Sequence, residues 1–197
     1  MKILVIATKN RGKLAEFKEL LGEWPLEIKS LLDFPKIEIC EKGSTFEENA
    51  ALKARIVAGE TGFAAVGDDS GLEVKALGGR PGIYTARYAG PDATDEENIQ
   101  KLLFEMKDLP REQRQARFVC SLALAFPDGK IFIESGLLEG FIDFEPKGAN
   151  GFGYDPVFYL PGYGKTLAQI PEEEKNRISH RAKAVEKIKK YLSLYTG

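Results

Sequence analysis

The 197-residue chain reads as a mixed α/β fold with a long sheet and a cleft lined by loops. Three observations carry that reading. A short apolar run, Ile3 to Ala7, leads straight into residues at helical spacing. Two long stretches of strand character flank the turn Pro127-Asp128-Gly129. Glycine-rich loops at 78–82 and 148–153 punctuate the middle of the chain. No repeat, low-complexity tract or Pro/Ser-rich linker divides it, so one domain over residues 1–197 is expected.

Each element follows from its pattern. Ile3 to Ala7 suits a buried strand, and Leu14, Phe17 and Leu21 then mark the apolar face of a helix. Thr45 and Glu48 have capping-box spacing at the head of a helix to Ala58, with Phe46, Ala50, Ala54 and Val57 on one side. Phe63 to Val66 is expected to be a strand running into an acidic turn, Gly67-Asp68-Asp69-Ser70-Gly71. Thr94 and Glu97 form a second capping box, opening a helix to about Lys107. Arg117 to Phe126 and Lys130 to Ile142 are strands joined by the Pro-Asp-Gly turn, and Val157 to Leu160 is a short strand. The last helix begins at the N-cap Ser179 and runs to about Tyr195, with Val185, Ile188, Leu192 and Tyr195 as a packing stripe.

Composition excludes several classes of function. Lys plus Arg is 28 against 30 for Asp plus Glu, so the net charge of −2 offers nucleic acid no general attraction. Ile3 to Ala7 and Leu122 to Phe126 are the longest apolar runs, far below the ~20 residues of a membrane helix. No signal-peptide pattern is visible at the N-terminus. Cys40 and Cys120 form neither a C-x-x-C pair nor a disulfide framework, which suits a reduced, cytoplasmic compartment.

Four segments have the residue types that chemistry needs. Thr8-Lys9-Asn10-Arg11-Gly12-Lys13 lies between the first strand and helix. Free N–H groups at a helix start favour phosphate, Thr8 and Asn10 add neutral donors, and Lys13 adds a full charge. It is not a P-loop. Asp68-Asp69-Ser70 follows an apolar strand; adjacent side chains on extended backbone point to opposite sides, so one Asp faces a site and the other braces the turn. A hard cation such as Mg²⁺ needs only one or two carboxylates besides water and substrate phosphates. Glu38, Glu41, Glu47 and Glu48 are all candidates for the second carboxylate.

The third segment joins Lys175 to Ser179, His180 and Arg181. Arg181 at a helix start suits an anion, whereas Lys175 after three glutamates also fits a solvated charge run. In the fourth, Gly151-Phe152-Gly153-Tyr154-Asp155-Pro156, flanking glycines leave room to present the Phe152 ring for stacking on a base. Burial of Phe152 in the core is the alternative. Together the four segments supply a phosphate cradle, a metal carboxylate, a cationic helix end and a stacking ring.

The ordered blocks Thr8-x-Asn10-x-x-Lys13, Thr45-Phe46-x-Glu48-Asn49-Ala50, Asp68-Asp69-Ser70-Gly71-Leu72, Leu77-Gly78-Gly79-x-Pro81-Gly82, Phe152-Gly153-Tyr154-Asp155-Pro156 and Ser179-His180-Arg181 make the chain resemble the inosine triphosphate pyrophosphatase family. The members are also called dITP/XTP pyrophosphatases. The resemblance implies a two-lobed α/β homodimer with its active site in the cleft between lobes. It also implies Mg²⁺-dependent cleavage of ITP, dITP and XTP to the monophosphate and pyrophosphate. By the same resemblance, Thr8, Asn10, Lys13 and Lys53 match triphosphate contacts, and Ser70 matches a substrate contact. Asp69 matches the metal ligand and proton acceptor, and Glu41 the second metal carboxylate. Phe152, Gly153, Tyr154, Asp155, Lys175, His180 and Arg181 match the nucleotide pocket, with Tyr154 where some members have Trp.

Base choice then rests on hydrogen bonds. Hypoxanthine and xanthine present an O6 acceptor and an N1–H donor, the reverse of adenine. A donor at O6, from Arg181 or nearby backbone, is left unpaired when ATP enters. A pyrophosphatase for pyrimidine or modified-base triphosphates, and a non-catalytic nucleotide-binding module, are the competing readings.

Overall fold

The computed structural model describes residues 2–196. In chain order the regular elements are β1 (Lys2–Ile6), α1 (Arg11–Leu20), β2 (Leu26–Ser30), α2 (Phe46–Thr61), β3 (Ala64–Val74), α3 (Asp95–Glu105), β4 (Gln115–Ala125), β5 (Ile131–Ile142), β6 (Phe158–Leu160), β7 (Lys165–Thr166), α4 (Glu172–Ile178) and α5 (His180–Thr196). The strands form one mixed sheet in the order β2-β1-β3-β4-β5-β6-β7. β1 runs parallel to β2 and β3, whereas β6 is antiparallel to β5 and β7. The mixed α/β class with a long sheet is therefore as expected. No helix among the described residues is long and apolar enough to cross a membrane.

The chain divides into two compact units, each assembled from separated segments. The first comprises residues 1–69, 120–136 and 180–197; the second comprises 70–119 and 137–179. In the first unit, period-2 alternation sends strand side chains to two apolar layers. Leu4, Ile6, Ala64, Val66, Cys120, Leu122 and Leu124 pack with Phe17 of α1 and Val185, Ile188 and Leu192 of α5. Val5, Ala7, Ala65, Ala123 and Ala125 pack with Ala50, Ala54 and Val57 of α2. The stripes expected on all three helices thus face these layers. The second unit has its own core, in which Leu72, Val74, Phe118, Leu138 and Ile142 meet Ile99 and Leu102 of α3.

Two local expectations change. The segment after Val66 is not a turn: β3 continues through Asp68, Asp69 and Ser70 to Val74. Gly67 permits this, because a Cβ there would stand 2.0 Å from the Ala50 carbonyl of α2. At the start of α2, Thr45 Oγ1 accepts from the Glu48 amide, but the Glu48 carboxylate turns to the amide and hydroxyl of Ser44, so the expected reciprocal box is not closed. The box of Thr94 and Glu97 is complete. β2, β7 and α4 carried no recognisable sequence signal. α4 is only seven residues long, follows the N-cap Pro171 and is mostly charged.

Candidate active site

The alternation that builds the core of the first unit also sorts its acidic pair. Val66 faces the α1/α5 layer and Gly67 faces α2, so Asp68 must return to α1/α5 and Asp69 to α2. Both carboxylates are buried, and each meets a different set of cations.

Asp68 receives Lys13 Nζ on Oδ1 and Arg181 Nε on Oδ2 at 2.8 Å. Arg181 in turn donates from Nη1 to Glu16 on α1. The guanidinium is 1% exposed, so two carboxylates balance it in a region with little water. Burial pushes the Asp68 carboxyl up, but Arg181 and Lys13 more than reverse this and hold it well below the usual carboxylate range. Arg181, expected at the base, is thus committed here to Asp68 and Glu16. His180, one position before it, is buried at the start of α5.

Asp69 accepts from Lys53 Nζ on Oδ1 at 2.9 Å and from Asn49 Nδ2 on Oδ2 at 3.1 Å. Lys53 also donates to Glu41 Oε1 at 2.7 Å, which singles out Glu41 among the four glutamates considered. Glu47 is bonded instead by Ser121 and Glu48 by Ser44. Asn49 Oδ1 accepts from the Gly43 amide at 2.8 Å and so ties the loop after Glu41 to α2. Burial raises the Asp69 carboxyl; Lys53 opposes this, Glu41 adds to it, and the balance stays above the ordinary value. Burial lowers the Lys53 ammonium, but Asp69 and Glu41 overcome that and raise it.

The loop before α1 has the expected helix-start geometry. Asn10 is the N-cap, with Oδ1 accepting from the Lys13 amide at 3.0 Å. Thr8 Oγ1 accepts from the Asn10 amide at 3.1 Å. Both side-chain oxygens therefore accept within the loop, and the donors to a ligand are the Thr8 hydroxyl hydrogen, Asn10 Nδ2 and the first helical amides. Lys9, Asn10 and Arg11 are exposed; Thr8, Gly12 and Lys13 are half-buried.

The second unit holds Ser70, half-buried on β3, and the aromatic loop. Asp155 Oδ2 accepts from the Phe152 amide at 3.0 Å and from Lys175 Nζ at 2.7 Å. Lys175 is 5% exposed and not part of a solvated run; its ammonium lies 4.8 Å from the centre of the Phe152 ring. Phe152 is half-buried rather than sealed in the core. Gly151 has φ +77°, and a Cβ there would stand 2.0 Å from Asp155 Oδ2, so the turn demands glycine. Tyr154 is buried and donates to the Thr85 carbonyl at 3.0 Å.

Sequence reasoning missed Glu16, Asn49 and the structural partners of Asp68. Asn49 belongs to the motif Thr45-Phe46-x-Glu48-Asn49-Ala50, whose spacing alone points to no role for it. Glu16 stands beside Phe17 on the buried side of α1, an acidic residue next to an apolar stripe.

A sequence model of the Ham1 family matches residues 4–191. A dITP/XTP pyrophosphatase of Halalkalibacterium halodurans is 51% identical over 193 residues, covering 98% of this chain and all of its own. One from Geobacillus kaustophilus is 53% identical over 189 residues, covering 95% of this chain and 93% of its own. Among solved structures, a HAM1 protein from Coxiella burnetii aligns with a TM-score of 0.89 at 44% identity, covering 98% of this chain and 99% of that one. The Ham1 protein of Staphylococcus aureus gives 0.87 at 42% identity over 98% of each.

Proposed function

The chain belongs to the Ham1 family, and from that premise we propose that it hydrolyses ITP, dITP and XTP to the nucleoside monophosphate and pyrophosphate. The names borne by its relatives support the activity. The observation that carries the chemistry is the convergence of Glu41 and Asp69 on one cationic point, Lys53 Nζ, at 2.7 and 2.9 Å.

That donor set fits Mg²⁺. Two hard carboxylate oxygens, Glu41 Oε1 and Asp69 Oδ1, converge on one point. A cation held by two carboxylates, with its other positions left to water and phosphate, is the usual Mg²⁺ arrangement. Glu41 and Asp69 would hold it, and when bound it supplies charge neutralisation for the phosphates.

The chain's own groups account for the remaining steps. Thr8, Asn10, Lys13 and the first amides of α1 bind phosphate oxygens, with Lys9, Arg11 and Gly12 in the same loop. Lys53 remains protonated and stabilises the charge that develops on the leaving pyrophosphate. Water attacks the α-phosphorus, the new P–O bond forms, and the bond to the β-phosphate bridging oxygen breaks. Asp69, oriented by Lys53 and Asn49, assists in taking the proton of the water, a contribution of typically 10²–10⁴-fold. Within the second unit Phe152 stacks on the base, and Asp155, Lys175 and Tyr154 brace the loop that presents it. The enzyme works as a cytoplasmic homodimer in this reading, and sedimentation should return about twice the chain mass.

Product analysis tests the activity. With ITP and Mg²⁺ the first products should be IMP and pyrophosphate, with ¹⁸O from labelled water in the IMP; ATP should react far more slowly, and chelation should stop turnover. Orthophosphate as the first product would refute the reading.

A further inference from the structure

The aromatic loop at 151–155 is held by bonds within it and by bonds from other segments of the second unit. Asp155 caps the Phe152 amide, Lys175 clamps Asp155, and Tyr154 is tied to the Thr85 carbonyl. A further bond reaches the loop from the start of α3. The Gly153 amide donates to Asp95 Oδ2 at 2.7 Å.

Asp95 is the first residue of α3, directly after the N-cap Thr94. At this first helical position its side chain reaches out from the helix start to the loop. Gly153 has φ +60°, a left-handed conformation that glycine adopts without a Cβ clash. The Phe152 ring thus stands between two anchored amides. Its own is held by Asp155, and the next is held by Asp95. Glu96 and Glu97 share the first turn of α3, yet the only hydrogen bond from that turn to the loop among the described residues runs through Asp95.

We propose that Asp95 is a positioning residue for base recognition: by holding the Gly153 amide it sets the plane of the Phe152 ring, and so determines how tightly the purine is held. This rests on the nucleotide-binding role proposed above for Phe152. Asp95 acts through the Gly153 amide, so its loss should weaken binding without slowing chemistry.

The test uses the full-length enzyme and three variants. Asp95→Ala should raise KM for ITP about tenfold, the loss expected of one hydrogen bond to a charged acceptor, with kcat within about twofold of wild type. Asp95→Asn keeps an oxygen acceptor and should recover most of that loss. Glu96→Ala removes the same charge from the same helix turn and should leave KM unchanged. Amide exchange at Gly153, followed by NMR, should speed up in Asp95→Ala and not in Glu96→Ala. Since Asp95 is exposed, the Ala variant should fold. A wild-type KM in Asp95→Ala, no recovery in Asp95→Asn, an equal KM rise in Glu96→Ala, or unaltered Gly153 exchange would each overturn the proposal. Failure of the wild-type enzyme to hydrolyse ITP would overturn the function instead, and the exchange measurement would still decide whether Asp95 holds the loop.

Discussion

Asp68 and Asp69 show how two identical carboxyls acquire different tasks. Asp68 faces one guanidinium and one ammonium, which lower its carboxyl despite burial. Asp69 faces Lys53 with Glu41 beside it, and burial leaves it raised. Asp69→Asn should therefore lower kcat for ITP by at least ~10² while the variant melts near the wild-type temperature; turnover close to wild type would remove Asp69 from the chemistry. Asp68→Asn should behave in the opposite way. It leaves Arg181, 1% exposed, short of a counter-charge, and breaking a buried pair in this way costs about 3–5 kcal/mol. Urea unfolding should report that loss, and unchanged stability would mean Glu16 alone suffices. The opposite orientation of the two side chains was legible in the sequence from strand alternation. The partner of Asp68 was not, because Arg181 lies 113 residues away and no local pattern encodes such a pairing. Lys175 misleads for the same reason: its neighbours in sequence are glutamates, but its partner is Asp155.

Helices and strands with a long, clean period were readable, and those set by distant packing were not. α1, α2, α3 and α5 each show an apolar face or a capping signal, as the β4–β5 hairpin shows its turn. β3 was cut short in the sequence reading because Gly-Asp-Asp-Ser-Gly has the composition of a turn. Its backbone extends because α2 packs directly on Gly67. Two glycines near α2 therefore have opposite meanings. Gly59 lies inside the helix with nothing within 4 Å of an added Cβ, whereas at Gly67 that Cβ would meet Ala50 O at 2.0 Å and Ala54 N at 2.8 Å. Gly59→Ala should stabilise the protein by ~0.5–1 kcal/mol through helix propensity. Gly67→Ala should cost about 1–3 kcal/mol or more, since backbone rather than a flexible side chain must move. Paired urea titrations check both, and the same sign for the two would contradict the packing argument.

At the scale of the molecule, the family was legible because six short blocks survive in order along the chain. Two lobes were implied by the resemblance, but their boundaries were not legible, because each unit is assembled from segments that are far apart in sequence. Stability in acid follows from the same assembly. Asp143, at the end of β5, has a side chain only 4% exposed and is bonded by Lys147 Nζ at 3.0 Å and the Phe144 amide at 2.8 Å. Burial raises its carboxyl, but Lys147, the Phe144 amide and Arg111 together bring it below the ordinary value. Its backbone carbonyl accepts from Arg114 Nη2 at 2.9 Å, so the same residue also satisfies a buried guanidinium. A carboxyl lowered on folding stabilises fully above its unfolded pKa of about 3.9. That stabilisation is lost as pH falls through the lower, folded value. Asp143→Asn should accordingly be less stable than wild type by ~1–3 kcal/mol near neutrality. The gap should stay constant down to about pH 5 and narrow below about pH 4. Melting curves of both proteins across that range measure the gap directly; a difference that persists undiminished at low pH would show that packing, and not the charge of Asp143, holds this corner of the second unit.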